Sequence, residues 1–210
     1  MDMKPKPDQS RKAGTPDGTR RLILDKAASL FRAHGYASTS LRDIAAATGM
    51  KAGSIYYHYD SKEDLAEEVL SQGIALVQNQ VKAATDALPA DADPLEVIRV
   101  AMIAHLQALH ERGDYASANI RCYNHVPPDV KKRLRRIRAS YEDYWEGLIT
   151  RASAAGRLEE GTDLVALRYA LIGMLNWTLE WRKSGSPAPK DLGEAFFRIA
   201  FKGAEADDSA

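Results

Sequence analysis

The 210-residue sequence predicts an all-α fold of about nine helices, divided into a three-helix N-terminal unit and a larger helical body. Three observations carry that prediction. Apolar residues recur at i, i+3, i+4 spacing in one segment after another. Glycine, proline or a short polar run stands where each pattern stops. No stretch alternates apolar and polar residues as a strand would, and no internal repeat appears. An apolar fraction of 45% is enough for a sizeable core.

The elements follow in order. Arg20–His34 carries Ile23, Ala27, Leu30 and Phe31 on one stripe and stops at Gly35. Ser40 and Asp43 have capping-box spacing, which starts a helix that buries Leu41, Ile44 and Ala45. Gly49 ends it, because glycine reaches left-handed backbone angles without a Cβ penalty. A short helix, about Ala52–His58, has one core residue, Ile55. Ser61 and Asp64 form a second capping box and open a long helix to about Leu88. A turn at Pro89–Pro94 precedes helices at Leu95–Glu111 and about Tyr115–Asn124. Pro127 and Pro128 break the chain, since proline lacks the N–H and clashes with the previous turn. Asp129–Ala155, a turn at Gly156–Gly161, Thr162–Lys183 and Lys190–Gly203 complete the body. The expected domains are a disordered basic tail (1–17), a three-helix unit (18–64), a body (65–204) and an acidic tail (205–210).

Ser38–Lys62 is the most informative stretch. Two short helices joined by a glycine turn make a helix-turn-helix, and the second helix presents small, hydroxylic, aromatic and imidazole groups: Gly53, Ser54, Tyr56, Tyr57 and His58. Such groups can approach a groove, touch a thymine methyl and donate to phosphate. Lys62 follows in the first turn of the next helix, where free N–H groups also suit phosphate. A plain packing unit is the alternative, and Tyr59 reads as a core aromatic.

At these residues the chain resembles the TetR family of bacterial transcriptional regulators. The matching features are Thr39, Leu41–Ala45 (LRDIA), Gly49, Gly53–Tyr59 (GSIYYHY) and Ser61–Leu65 (SKEDL); the likeness is specific over about Arg20–Val69. Tyr59 stands where the family often has a bulky apolar residue. The resemblance implies a DNA-binding domain hung from a helical domain for ligand binding and dimerisation. It implies that Arg42, Ser54 and Tyr57 face bases, and that Thr39, Tyr56, His58 and Lys62 grip phosphates. Ser40, Lys51 and Gly53 complete the expected DNA surface.

Charge agrees. Residues 1–60 hold ten Lys/Arg against six Asp/Glu, a net +4, while residues 61–210 hold nineteen against twenty-three, a net −4. A basic head on an acidic body is the footprint of a nucleic-acid reader. Lys4, Lys6, Arg11 and Lys12 form either an arm along DNA or a solvated tail. Cys122 is the only cysteine, so no internal disulfide or cysteine-rich metal site is possible. The N-terminus has no secretory pattern and no apolar run is long enough for a membrane, so a cytoplasmic protein is expected.

Thr162–Trp181 is apolar around most of its circumference. With Leu192, Phe196, Phe197 and Ile199 of the last helix it predicts a four-helix homodimer interface; a monomeric core is the alternative. Candidate walls of an inducer pocket are His105, Leu109, Arg121, Tyr123, Asn124, Tyr141, Trp145, Asn176 and Trp177, each of which could equally be core packing. The histidines lack metal-ligand spacing, so neither metal nor cofactor is expected. Lys131–Arg138 carries six cations in eight residues. It is either a solvated face or an anion site, and NHVPPDVKKR with GMLNWTLEW resembles TetR members that sense acyl-CoA thioesters. No nucleophile–base motif or phosphate loop points to an enzyme. The expected function is a repressor that a small-molecule inducer, such as an acyl-CoA, releases from a palindromic DNA operator.

Overall fold

The computed structural model describes residues 16–111, 113–181 and 185–203. Among them are nine α-helices and one 3-10 turn. The helices are α1 (Pro16–His34), α2 (Leu41–Thr48), α3 (Ala52–Tyr56), α4 (Lys62–Asp86), α5 (Pro94–Glu111), α6 (Asp114–Cys122), α7 (Pro128–Ala154), α8 (Leu164–Trp181) and α9 (Pro189–Lys202), with the turn at Tyr123–His125. No strand occurs among the described residues. The two predicted tails, with the basic arm and all but the last residues of the first, lie outside them, as do residues 182–183 of the predicted eighth helix.

The caps form as their chemistry requires. The Ser40 hydroxyl accepts from Asp43 N–H (3.2 Å) while Asp43 accepts from Ser40 N–H (2.8 Å), closing the box. At Ser61 the hydroxyl accepts from Asp64 N–H (3.0 Å), and the return contact runs from that hydroxyl to the Asp64 carboxylate (2.6 Å). Gly49 takes φ 70°, and Met50 N–H reaches back to the Ala45 carbonyl (2.9 Å), which closes the end of α2.

Several elements are shorter than predicted, and for two of them the local backbone shows why. The short helix α3 ends at Tyr56, not His58, because the Ile55 carbonyl accepts from both His58 and Tyr59 N–H (2.9 and 3.0 Å) and so tightens the chain. The helix expected to reach Asn124 ends at Cys122. A residue before proline avoids the helical region, and Val126, ahead of Pro127, is extended at ψ 156°.

α4 is the axis. Its first turns pack against α1, and the rest lies among α5, α6 and α7. Val69, Leu70, Ile74, Val77 and Val81 are buried along it. At Gly73 the backbones of α4 and α6 nearly touch: an added Cβ would stand 2.3 Å from the Tyr115 carbonyl oxygen. α6 in turn grips α1 by polar contacts. Tyr115 donates to Asp25 (2.7 Å), Arg32 to Asp114 (2.6 Å), and the Cys122 thiol lies 3.4 Å from the Phe31 carbonyl.

α8 buries Leu171, Leu175 and Thr178 but leaves Val165, Tyr169, Trp177 and Trp181 exposed, at 51, 64, 66 and 41%. α9 divides differently from the expectation. Leu192 belongs to the core and Gly193 sits tight on Ile103 of α5, whereas Ile199 faces outward. Phe196 and Phe197 are half-buried, with Phe196 against Trp181 (6.4 Å between ring centroids).

Candidate DNA interface and ligand cavity

The N-terminal turns of α2 and α4 converge on one open recess. Thr39, Ser40, Arg42, Tyr56 and Lys62 line it, five of the residues expected to meet DNA. Both helix N-termini bring partial positive charge to that surface. Tyr57, at 85% exposure, and Tyr56, at 56%, project from α3 without apolar cover. Arg42, Lys51 and Gly53 are also exposed, while Ser54 and His58 are half-buried. The Tyr57 ring meets the edge of His58 at 5.3 Å.

Gly53 has no internal reason to be glycine. An added Cβ meets nothing within 4 Å, and its backbone is not left-handed. A close approach from outside is what the missing side chain permits.

Lys62 lies over the Tyr36 ring, 4.0 Å from its centroid, and partial burial lowers its pKa. Tyr36 donates to Glu63 (2.7 Å). Thr39 departs from its expected phosphate role. It is 2% exposed and its hydroxyl donates to the Gly35 carbonyl (2.8 Å), so the side chain locks the α1–α2 turn. Tyr59 is core, as read, with the Arg20 guanidinium over its ring at 4.4 Å. Arg20 also donates to the His58 carbonyl (2.9 Å) and pairs with Glu68. This link between α1, the recognition turn and α4 could not be read from the sequence.

A second feature lies inside the body. A cavity of about 50 Å³ is lined by Ile74 and Val77 of α4, His105 and Leu109 of α5, Asn119 and Ile120 of α6, Arg138, Tyr141 and Glu142 of α7, and Ile172 and Asn176 of α8. Four expected pocket residues are brought together here: His105, Leu109, Tyr141 and Asn176. Trp145 is fully buried behind them, with its ring against His105 and Tyr141.

His105 is the centre of the polar wall. Its Nε2–H donates to Asn176 Oδ1 (3.0 Å), and Nδ1 accepts from the Tyr141 hydroxyl (2.7 Å). That pairing satisfies a neutral imidazole with one donor and one acceptor. Burial lowers the His105 pKa to about 4, the Asn176 contact opposes that fall, and His110 adds to it. Burial likewise pushes the Tyr141 hydroxyl up. Asn119 is 4% exposed and its Oδ1 has no partner among the described residues, so the cavity holds an unused acceptor. At the rim the Arg138 guanidinium lies 3.8 Å from the Tyr123 ring centroid and 3.9 Å from Glu142.

The other expected pocket residues lie elsewhere. Trp177 is on the outer face of α8, one residue and about 100° from Asn176. Arg121 donates to the carbonyls of Arg32 (3.2 Å) and Leu179 (2.9 Å), which ties α6 to α1 and α8. Tyr123 serves as the platform for Arg138, and exposed Asn124 offers its carbonyl to Lys131 (2.8 Å). Asn119, Arg138 and Glu142 were missed. A polar Asn119 on the buried face of α6 was the available signal. No metal-binding cluster occurs among the described residues, and no helix there is long and apolar enough to cross a membrane.

Residues 23–69 match the family described as bacterial regulatory proteins, tetR family, and residues 91–204 match the tetracyclin repressor-like C-terminal domain. The HTH-type transcriptional repressor KstR2 of Mycolicibacterium smegmatis is 27% identical over 199 residues, spanning 90% of this chain and 91% of that protein. KstR2 of Mycobacterium tuberculosis is 26% identical over 203 residues, spanning 92% and 96%. The crystal structure of AibR in complex with isovaleryl coenzyme A and operator DNA superposes with a TM-score of 0.78 at 25% identity, covering 87% of this chain and 97% of that one. The exposed tyrosines of a capped helix-turn-helix, the helical body behind them and these matches across both parts agree: the chain belongs to the TetR family of DNA-binding transcriptional regulators.

Proposed function

We propose that the chain is a homodimeric repressor that leaves a palindromic operator when an acyl-CoA thioester enters the cavity among α4–α8. The observation that carries this reading is which helices wall the cavity. Ile74 and Val77 belong to α4, the helix that begins in the DNA-facing recess. Asn119 and Ile120 belong to α6, which is bonded to α1. A cavity of about 50 Å³ has room for a few water molecules only. An acyl chain therefore requires the walls to move apart, and two of those walls, α4 and α6, are tied to the head. Ligand and operator then favour different arrangements of one dimer and oppose each other reciprocally.

An acyl-CoA thioester pairs an apolar tail with phosphates. Ile74, Val77, Leu109, Ile120 and Ile172 suit the tail, and Arg138 at the rim suits an anionic group. AibR, bound to isovaleryl coenzyme A and operator DNA, supports the same class. The head is taken as residues 18–64 and the body as 65–204. Within the head, Arg42, Ser54 and Tyr57 read bases, while Tyr56, His58 and Lys62 hold phosphates. The exposed apolar face of α8, with Phe196, Phe197 and Ile199 of α9, pairs with its copy and sets two heads on successive major-groove turns. The protein acts in the cytoplasm and catalyses no reaction; its relatives carry the names of transcriptional regulators.

Gel shift on DNA upstream of the chain's own gene, with and without a panel of acyl-CoA esters and free fatty acids, tests the reading. A specific shift abolished by an ester that also raises the melting temperature is expected. An operator affinity unchanged by a saturating, verified ligand sinks the release mechanism.

A further inference from the structure

α7 carries six cations between Lys131 and Arg138, and the structure separates them into two groups. Three are engaged. Lys131 donates to the Asn124 carbonyl (2.8 Å), Arg133 pairs with Glu67 and lies 3.8 Å from Asp64, and Arg138 lies over Tyr123 beside Glu142. Lys132, Arg135 and Arg136 are exposed and make no ion pair or hydrogen bond among the described residues. Their i, i+3, i+4 spacing puts all three on one face of the helix, opposite Leu134 and Tyr141.

That arrangement is unfavourable on its own. Like charges three and four residues apart repel. A polyanion would offset that cost, and α7 is placed to meet one. It runs parallel to α4: Arg133 meets Asp64 and Glu67, Ser140 meets Gln78 (3.1 Å), and Tyr144 meets Lys82 (6.0 Å from the ring centroid). The start of α7 is thus level with the start of α4, whose Lys62 lines the DNA-facing recess. The free cationic face therefore lies on a helix whose early turns touch the first turns of α4.

We propose that Lys132, Arg135 and Arg136 form a second, sequence-independent contact with the DNA backbone, beside the site read by α3. The inference rests on the DNA-binding reading of the head and adds a contact from the ligand-binding body.

The test is the salt dependence of binding to the upstream DNA, measured by fluorescence anisotropy for wild type and for the triple variant Lys132→Gln, Arg135→Gln, Arg136→Gln. Each phosphate contact contributes about 0.9 to the slope of log K against log salt, so a dimer losing six cations should show a slope shallower by up to about 5. Affinity at about 0.1 M salt should fall tenfold or more. Lys62→Gln provides the scale for one head contact per protomer. Trimming the DNA flanks should lower the wild-type slope without touching the fold, which keeps the test valid should the variant be unstable. A triple variant with the wild-type slope, or a wild-type slope unaffected by trimming, overturns the proposal. An unchanged slope with loss of stabilisation by acyl-CoA assigns the cations to the ligand rim and also overturns it. A wild-type chain that binds no duplex defeats the head reading itself, a distinct result.

Discussion

Acidification should destabilise this fold through one residue. His105 is fully buried between Tyr141 and Asn176, and its pKa falls from the ordinary 6.5 to about 4. Between those values the unfolded chain binds a proton that the native chain refuses, so stability falls as pH drops through the window. The interval corresponds to about 3 kcal/mol once pH is below both values, and to about 2 kcal/mol at pH 5. Above pH 6.5 the slope should fade, as the unfolded imidazole also loses its proton. Urea unfolding of wild type and His105→Gln at several pH values between 7 and 5 isolates the contribution. Glutamine keeps a polar group in the wall but cannot titrate. The variant should be less stable at pH 7, and its curve should approach that of wild type by about 2 kcal/mol at pH 5. Parallel curves would refute the reasoning, as would an imidazole that titrates near 6.5 in the native protein.

Three further outcomes follow from the geometry. Gly53→Ala should stabilise the isolated protein by about 0.5–1 kcal/mol, since the added methyl meets open space, yet weaken operator binding; thermal melts and gel shifts read the two effects separately. Gly73→Ala should do the reverse inside the body. Its Cβ would enter the Tyr115 carbonyl, at a cost of about 1–3 kcal/mol against a helix-propensity gain of about 1, and calorimetry should show a net loss. Trp177→Asp should shift sedimentation toward monomer while leaving the His105 network intact, because the side chain is 66% exposed on α8.

The head was legible because its determinants are local. Ser40 and Asp43, Gly49, and Ser61 and Asp64 act across three or four residues, and each formed close to where its chemistry placed it. Thr39 plays a structural part that the sequence did not suggest, because its buried hydroxyl donates to the Gly35 carbonyl. The cavity was only half legible. Its walls come from five helices spread between Ile74 and Asn176, and helical periodicity shows which residues turn inward without showing what they meet. Asn176 and Trp177 make the point: both sit in one apolar run, but a turn of about 100° sends one to the cavity wall and the other away. Arg138 and Glu142 were hidden in charge patterning that reads as surface, and only the fold of α7 over Tyr123 brought them to a rim.

The same adjacency on α8 has a consequence for the shape of a dose–response curve. Asn176 holds His105 at the cavity wall, and Trp177 is exposed on the face of α8 that we propose meets the copy of the helix in the dimer. A ligand that rotates this stretch in one subunit changes what the mate packs against. The two binding events are then not independent, and induction need not follow a simple hyperbola. A dimer with one intact and one inactivated cavity would show it, through a midpoint displaced from that of the symmetric protein.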